Sequence, residues 1–276
     1  IGWMHEMAEL SWSDAKSFYD RWYGPNNAIL IVSGDVTGAQ VYELAQKIYG
    51  PLTKINVPER NWAKSPPLKA ASTVTMTDAS IKQPNIQTVF RTPSARINQN
   101  EALALEVMEE IVGGGATGRL YKALVVDQKI ASSAGISYRP QYWDEAQTTL
   151  YATPLPGIEL DTVKTAYENE LRRLIKDGVT NKELEEAKSR MQDAAIYARD
   201  SLTGPAMVFG YSLITGSSID DIEYWPQNIA RVTAEQIQNV AKKYLDPDGD
   251  YETPPITGYL LPEAPQAIAP SKEGSE

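Results

Sequence analysis

The sequence contains no cysteine and a single histidine, His5, among 276 residues. Disulfides and thiolate metal sites are therefore excluded, and a zinc site built from several imidazoles cannot form within this chain. Positive charge is scarce as well, since 26 Lys and Arg against 36 Asp and Glu give a formal net charge of −10. That balance argues against nucleic acid as a partner. No apolar run approaches the ~20 residues of a membrane-spanning helix.

Two short motifs imitate metal sites without completing them. HEMAE (5–9) has Glu9 where the zinc motif H-E-x-x-H has its second histidine, so we interpret His5 as a solvated loop residue. DPDGDYE (246–252) has the alternating aspartates of a calcium loop, but Tyr251 occupies the glycine position. This segment is predicted to be an acidic turn between a helix and a strand. A Ser-His-Asp triad lacks support, because no G-x-S-x-G motif is present.

Residues 10–50 predict a helix, a strand and a second helix. The capping box SWSD begins a helix that ends at Trp22, AILIVSG (28–34) has the composition of a buried strand, and TGAQ caps the second helix. The second helix has an apolar face made of Val41, Leu44, Ala45 and Ile48. An aromatic cluster on the first helix is expected to pack in the core against the strand, namely Trp12, Trp22 and Tyr23.

Residues 51–70 contain four prolines and no periodicity, which predicts an interdomain linker. The segments STVTMTD and NIQTVFRT then alternate like half-buried antiparallel strands. A helix is predicted over 100–112, followed by the strand pair AGISYRP and AQTTLYATP, which the turn QYWDE joins. The inward face of the helix is predicted to consist of Leu103, Val107, Met108 and Ile111.

The last third of the chain is predicted to be mainly helical. TNKE (180–183) is a capping box that begins a helix ending near Arg199, TAEQ (233–236) begins the last helix, and ITGYLL (256–261) is a final strand. An earlier helix has an apolar stripe of Val163, Tyr167, Leu171 and Leu174. The tail after Pro262 is rich in Pro, Ala, Ser and Glu and is predicted to be disordered.

The sequence also contains an internal repeat. LSWSDAKSFYDRWYGP (10–25) aligns without gaps on VTAEQIQNVAKKYLDP (232–247), so that a cap, an amphipathic helix and a proline recur in order before an apolar strand. The repeat predicts two related α+β units.

The stretch IVGGGATGRLYKALVVDQKIASS (111–133) contains three consecutive glycines. A phosphate-binding loop is excluded, because Arg119 stands where that loop has lysine and a helix rather than a strand precedes it. A simpler interpretation is a helix end at which Gly113 or Gly114 has a positive φ and Thr117 caps the next helix. The alternative is a backbone surface that a peptide can approach closely.

Four segments resemble the pitrilysin/insulinase family of zinc metallopeptidases: IGW, FYDRWYGPNNAILIVSGDV, GGGATGRLY and ATPLPG. The resemblance is to the two-domain bacterial and mitochondrial-processing-peptidase-like branch, and it covers most of residues 1–262. It implies two homologous α+β domains, in agreement with the repeat. Residues 1–50 resemble the end of the first domain, and residues 71–262 resemble the whole second domain.

The family's metal motif is H-x-x-E-H with a further glutamate, and both lie upstream of the IGW segment. The resemblance therefore implies zinc in the parent protein and no zinc residue in this chain. The opening of the chain, without Met or a signal-peptide pattern, predicts a trimmed or excerpted chain. Active members hold the substrate backbone with an arginine and a tyrosine, and Val125 and Ser132 occupy those positions here.

The resemblance also implies a set of residues that line the wall of a peptide chamber. These are Gly113, Gly114 and Gly115, together with Arg119 and Tyr121, which match the start of the family's substrate-holding pattern.

The expected fold is α+β, with antiparallel sheets packed against helices in duplicated peptidase-like domains. One domain is complete (71–262) and one is partial (1–50), joined by the linker 51–70 and followed by a disordered tail (263–276). The expected function is that of the non-catalytic C-terminal portion of a zinc peptidase, which forms the chamber wall and docks a partner. The alternative is a structural or assembly subunit of an inactive member, and a stand-alone peptide-binding module has less support because the holding pair is missing.

The expected partners are a homologous peptidase subunit and, in the assembled enzyme, a peptide substrate. Neither nucleic acid nor a membrane span is expected. The resemblance implies a periplasmic or secreted location, since bacterial relatives are often exported. Purified alone, the chain is expected to bind no stoichiometric zinc and to cleave no peptide.

Overall fold

The structure is a computed structural model that describes residues 2–63, 66–249 and 254–263. The predicted disordered tail lies outside the described residues from position 264 onward, and so does the second half of the acidic turn.

The chain divides into two compact units. Unit 1 comprises Ile1–Pro66 and Ala198–Tyr211, and unit 2 comprises Pro67–Tyr197 and Ser212–Glu276.

The α-helices described in the first segment of unit 1 are α1 (Met4–Glu9), α2 (Trp12–Trp22) and α3 (Gly38–Tyr49). The capping boxes that the sequence predicts for α2 and α3 are confirmed. The Ser11 hydroxyl accepts a hydrogen bond from the Asp14 amide, and the Thr37 hydroxyl accepts one from the Gln40 amide.

The predicted strand over 28–34 is wrong, because residues 28–33 form no strand. A strand needs a neighbour whose N–H and C=O groups pair with its own. No strand is assigned within the described part of unit 1. The prediction that Trp12 and Tyr23 pack in a core against this strand is wrong for the same reason, since both side chains are exposed.

Unit 2 is built on one five-stranded sheet in the order β1-β5-β2-β4-β3. The strands are β1 (Ser72–Asp78), β2 (Asn85–Thr92), β3 (Ala131–Tyr138), β4 (Ala146–Pro154) and β5 (Ile256–Pro262). All five predicted strand segments of this unit are thus confirmed. The expected antiparallel pairing holds for the other neighbouring strands, whereas β5 returns from near the end of the chain and lies parallel to β1.

The remaining helices are α4 (Gln99–Gly113), α5 (Arg119–Tyr121), α6 (Leu160–Asp177), α7 (Asn181–Ala198), α8 (Gly204–Ile214), α9 (Ile219–Glu223), α10 (Trp225–Ala230) and α11 (Ala234–Leu245). The first residues of α8 group with unit 1. The predicted inward face of α4 is confirmed, since its four side chains are buried, and the four side chains of the predicted apolar stripe of α6 are buried as well. Together with α11 they form the core of unit 2 with one face of the sheet.

A chain of buried hydroxyl groups joins α6 to the sheet. The oxygens of Tyr167 and Thr88 lie 2.6 Å apart, and those of Thr88 and Thr257 lie 3.1 Å apart. Buried polar groups stabilise a fold when they are paired in this way. The contact therefore fixes α6 over β2 and β5.

The other face of the sheet is more open and is crossed by a row of paired residues. Val74 of β1 lies beside Gly258 of β5, which lies beside Gln87 of β2, and Gln87 faces Tyr151 of β4. Tyr151 in turn faces Gly135 of β3, and a Cβ at Gly135 would lie 2.5 Å from the tyrosine hydroxyl. The phenol ring therefore covers the position that a side chain at residue 135 would fill.

The predicted repeat is present in the caps and helices. Thr233 caps α11 with Gln236 by the same two hydrogen bonds that Ser11 and Asp14 make at α2. A strand was predicted to follow each of the two helices. Among the described residues, one forms after α11, as β5, and none forms directly after α2. Duplication of whole domains stays a prediction.

Candidate functional site

The glycine stretch ends α4 and turns the chain toward the next helix. A Cβ at Gly113 would lie 2.6 Å from Ile136 Cγ2 and 2.7 Å from the Ile136 carbonyl oxygen, so only glycine lets α4 approach β3 this closely. Gly115 has the positive φ, +64°. The prediction of a positive φ at Gly113 or Gly114 is wrong, because the left-handed residue comes after the helix has ended.

The predicted cap by Thr117 is also wrong. Its hydroxyl donates to the carbonyl oxygen of Gly114 at 3.1 Å, back toward α4. Gly118 precedes the short helix α5 and is buried, and a Cβ there would lie 2.8 Å from the Gly114 nitrogen. After α5 the chain continues as a π-helix, Lys122–Asp127. Close packing and turn geometry therefore explain these glycines.

Arg119 forms the strongest polar contact at this turn. Its Nε and Nη2 donate to the two carboxylate oxygens of Glu183 at 2.7 and 2.8 Å, and Nη2 also donates to the Gly178 carbonyl at 3.0 Å. The same carboxylate accepts hydrogen bonds from the amide and hydroxyl of Thr180, which completes the predicted cap of α7. The guanidinium lowers the pKa of Glu183 to about 2. Arg119 thus ties the glycine turn to the start of α7.

The other positions that the resemblance singles out lie close by in the chain. Tyr121 is half-buried at the end of α5. Val125 packs partly buried against the core, and the Ser132 hydroxyl donates to the Thr153 carbonyl at 3.2 Å. The structure therefore brings the glycines and Arg119 together in one turn, with Arg119 bound to Glu183. Whether this turn contacts a peptide stays a prediction.

The described residues provide no set of side chains that could coordinate a zinc ion. They include no group of three or more His, Asp or Glu side chains placed to hold a metal. His5 is exposed, as predicted, although it lies on α1 rather than in a loop.

Two partly buried acidic side chains of α4, Glu106 and Glu109, were not predicted from the sequence. Burial raises the pKa of Glu106 to about 7 although the Trp225 indole N–H donates to its carboxylate at 3.0 Å. Burial, with the neighbouring charge of Glu110, raises the pKa of Glu109 to about 7. The sequence does contain a signal for Glu106, because apolar residues of α4 flank it on both sides. Both carboxyl groups can exchange protons near neutral pH.

Unit 1 contains an open groove of about 760 Å³, which we call the aromatic groove. Its apolar lining consists of Phe18, Tyr19, Trp22, Tyr23, Tyr49, Leu52 and Trp62. The Arg60 guanidinium lies 5.3 Å from the ring centre of Trp22 and 5.8 Å from that of Trp62. The groove therefore presents aromatic side chains and one guanidinium to solvent.

The apolar stripe of α3 is exposed as well. Leu44 and Ile48, which the sequence places on the apolar face of this helix, are exposed, and Val41 and Ala45 are only half-buried. Among the helices described in either unit, none is long and apolar enough to cross a membrane.

The sequence of this chain matches a known protein family. Residues 10–191 match the family described as Peptidase M16 inactive domain. The chain is 23% identical over 265 residues to the zinc protease PqqE of Helicobacter pylori and 24% identical over 257 residues to an uncharacterized zinc protease of Mycobacterium leprae. These matches cover 95% and 89% of this chain but 57% and 55% of the relatives. The chain therefore spans little more than half the length of the relatives it matches.

Solved structures show the same fold. A protease from Helicobacter pylori superposes with a TM-score of 0.84 at 22% identity, over 95% of this chain and 61% of that one. A peptidase M16 inactive domain from Pseudomonas fluorescens gives 0.73 at 13% identity, over 96% and 61%. The periplasmic protease PqqL of Escherichia coli gives 0.69 at 19% identity, over 94% of this chain and 28% of that one.

Proposed function

The chain belongs to the peptidase M16 family through its inactive domain, and from this premise we propose that it is the wall and docking portion of a zinc peptidase. The resemblance to the pitrilysin/insulinase peptidases is confirmed, and so is a non-catalytic role for the matched domain. We propose further that unit 1 packs against a catalytic portion of the parent enzyme. Unit 2 then closes part of a chamber around an unfolded peptide.

The observation that carries this proposal is the unequal burial of the two repeated helices. In α11 the core residues are Ile237, Val240, Ala241 and Leu245, all buried. Their aligned counterparts are Ala15, Phe18 and Tyr19 of α2 and the C-cap residue Tyr23, and the three aromatic ones are 59%, 56% and 64% exposed. A stripe with the same spacing favours the same kind of partner, a sheet. We therefore propose that the parent peptidase supplies that sheet.

The aromatic groove supports the same conclusion. Six aromatic side chains around one arginine form a surface of the kind found at the centre of protein interfaces. The apolar segment 28–33 lies in the same unit without a strand partner among the described residues. We propose that it becomes a strand when the catalytic portion supplies a neighbour.

We place the zinc of the parent enzyme in that catalytic portion. Relatives named zinc proteases support its presence in the parent, and the donor groups described here do not fit it. The substrate would be a peptide that contacts the turn of Gly113, Gly114 and Gly115, near Arg119 and Tyr121. A periplasmic or secreted location is proposed as well, with support from the periplasmic E. coli protease of the same fold.

The test uses a polypeptide that contains H-x-x-E-H and is encoded beside this chain, upstream in the same reading frame or in the neighbouring gene. Mixed with this chain, it should form a stable complex that binds zinc and cleaves unfolded casein. The chain alone should show neither tightly bound zinc by metal analysis nor cleavage.

A matched pair of variants locates the docking surface. Phe18→Asp places a charge on the exposed stripe of α2 and should abolish the complex. Asp20→Lys introduces the residue found at the aligned, exposed position Lys242 of α11 and should leave the complex intact. A complex that survives Phe18→Asp contradicts the proposed docking surface. A stable complex without zinc or cleavage would instead favour the structural or assembly subunit.

A further inference from the structure

The two edges of the sheet in unit 2 are protected to different extents. At the β3 edge, α4 lies against the Ile136 backbone, as the close approach at Gly113 shows. At the other edge, β1 pairs with no described strand except β5, and six of its seven residues are exposed. Val74 and Met76 are 57% and 58% exposed. A long and open edge strand is a template for pairing with another chain.

The hydrogen bonds of β1 identify which backbone groups face outward. The Ser72 amide donates to the Pro255 carbonyl at 3.1 Å, and the Asp78 carbonyl accepts from the Glu263 amide at 3.3 Å. Both bonds lie on the β5 side of the strand. In a parallel pair, alternate residues direct both backbone groups to the same neighbour. Thr73, Thr75 and Thr77 therefore present their N–H and C=O groups to the open edge.

The sequence of β1 contains none of the usual protection of an edge. Proteins protect open edges with lysine, proline or a bulge, and STVTMTD has neither lysine nor proline. Its register with β5 is regular from Ser72 to Asp78. The only charged residue of the strand is Asp78, at its end.

We propose that β1 is a homodimer interface, at which the β1 strands of two copies of this chain pair antiparallel about a two-fold axis at Thr75. This register places Thr75 opposite Thr75, and Thr73 opposite Thr77. These are the residues whose backbone groups face outward, so each opposed pair exchanges both hydrogen bonds. The strand is thus self-complementary, as a two-fold interface requires.

Side chains and charge favour this register. Val74 lies opposite Met76 at the closely spaced, non-hydrogen-bonded positions, which gives an apolar contact on the open face. Asp78 lies opposite Ser72 of the second copy, so no like charges meet. Parallel pairing would place the two Asp78 carboxylates side by side, which is unfavourable in a chain whose net charge is −10. A second copy in antiparallel register therefore fits this edge, independently of the proposed function.

Because the chain contains no cysteine, a single introduced thiol reports the register directly. In the proposed dimer, a cysteine in place of Thr75 lies opposite its own copy at about 5.5 Å between Cα atoms, within the range of a disulfide. A cysteine in place of Thr73 lies about 14 Å from its copy, because four residues separate them along the strand. Thr75→Cys should therefore form a disulfide dimer under mild oxidation, and Thr73→Cys should not.

Mixing the Thr73→Cys and Thr77→Cys chains supplies the positive control, since these two positions face each other. Equal dimer yields for Thr75→Cys and Thr73→Cys, or no dimer from either, would overturn the proposal. Circular dichroism of each variant checks that the fold is retained.

A second measurement uses the chain without thiols. Sedimentation velocity over a concentration series should show a monomer–dimer equilibrium for the unmodified chain. Thr75→Pro removes the central outward N–H in both copies and should weaken dimerisation by about tenfold or more. Thr75→Val keeps the N–H and should dimerise like the unmodified chain. A dimer that Thr75→Pro leaves unchanged, or a chain that stays monomeric at every concentration, would refute an interface at β1.

Discussion

Helices α2 and α11 have the same local pattern and opposite surroundings. Each is introduced by a capping box and has an apolar stripe at helical spacing. In unit 2 the stripe of α11 is buried against α4, α6 and the sheet, whereas in unit 1 the stripe of α2 faces the aromatic groove and solvent. The difference lies in what surrounds each helix.

The comparison separates two contributions to structure. Caps and periodicity act over a few residues and determine where a helix begins and which face is apolar. Burial depends on residues distant in sequence, and most of the stability of a helix comes from packing of that face. Unit 2 should therefore contain nearly all of the cooperative stability of this chain.

The largest effect should come from truncating matched stripe positions. Leu245→Ala in α11 leaves a cavity in the core and should reduce the free energy of unfolding of unit 2 by about 2–5 kcal/mol. Tyr23→Ala, at the aligned position directly after α2, removes an exposed ring and should change the unfolding free energy of unit 2 by less than about 0.5 kcal/mol. Hydrogen exchange of α6 amides in the two variants measures both values. A similar loss in both variants would contradict the difference between the units.

Removing an ion pair should have a smaller effect on the free energy of unfolding, and the effect should differ between a tertiary pair in unit 2 and a local pair in unit 1. Arg119→Gln removes the contact of the glycine turn with Glu183 and should destabilise unit 2 by about 1–2 kcal/mol at pH 7. Lys16→Gln removes the exposed ion pair with Asp20 within α2. It should change the free energy of unfolding by less than about 0.5 kcal/mol.

The stability that unit 2 loses in Arg119→Gln should decrease as the pH falls. Because the pKa of Glu183 is lowered to about 2, its contribution to stability is present above the unfolded value of about 4.3 and is lost as the pH falls through 2. The difference between the unmodified chain and Arg119→Gln should therefore shrink below about pH 4. Urea unfolding at a series of pH values tests this, and a difference that grows on acidification would contradict it.

Glu106 should give unit 2 a pH dependence of the opposite sign. Since its pKa is raised to about 7, the folded state holds a proton that the unfolded state has released, and stability falls as the pH rises from about 4.3 to 7. Glu106→Gln should remove part of this fall and make unit 2 more stable above pH 7, by about 1 kcal/mol. Urea unfolding at pH 5 and pH 8 measures the change. An unaltered pH dependence in Glu106→Gln would assign the titration to another group.

The smallest effect should come from the caps, where the two units are most alike. Thr233→Ala should reduce the unfolding free energy of unit 2 by about 1 kcal/mol, because α11 belongs to the core. Ser11→Ala removes an equivalent cap and should increase hydrogen exchange within α2 alone. Exchange at α6 amides that increases equally in both variants would show that α2 is coupled to the core.

Features determined by residues close together in the chain could be predicted from the sequence. The caps at Ser11, Thr37, Thr180 and Thr233 and the buried stripes of α4 and α6 were predicted correctly, because hydrogen bonds and helix periodicity act over three or four residues. The family resemblance depended on such short segments as well.

The failures have a common physical cause, which is dependence on distant residues. The apolar segment 28–33 has the composition of a strand but no neighbour in the described part of unit 1. The parallel placement of β5 beside β1 depends on a segment far along the chain. At the candidate site, the bond between Arg119 and Glu183 joins residues 64 positions apart. The hydrogen bond that Trp225 donates to Glu106 joins residues 119 positions apart. Periodicity and spacing contain no information about such contacts.

The tyrosine that lies over the strand glycine has an evolutionary consequence. A side chain at residue 135 would occupy the space that the Tyr151 ring already fills, so a methyl group there must displace the ring from the sheet. The two positions should consequently be inherited as a pair: homologues that acquire a bulky residue in place of Gly135 should have a small one in place of Tyr151, and ancestral intermediates carrying only one of the changes should be rare.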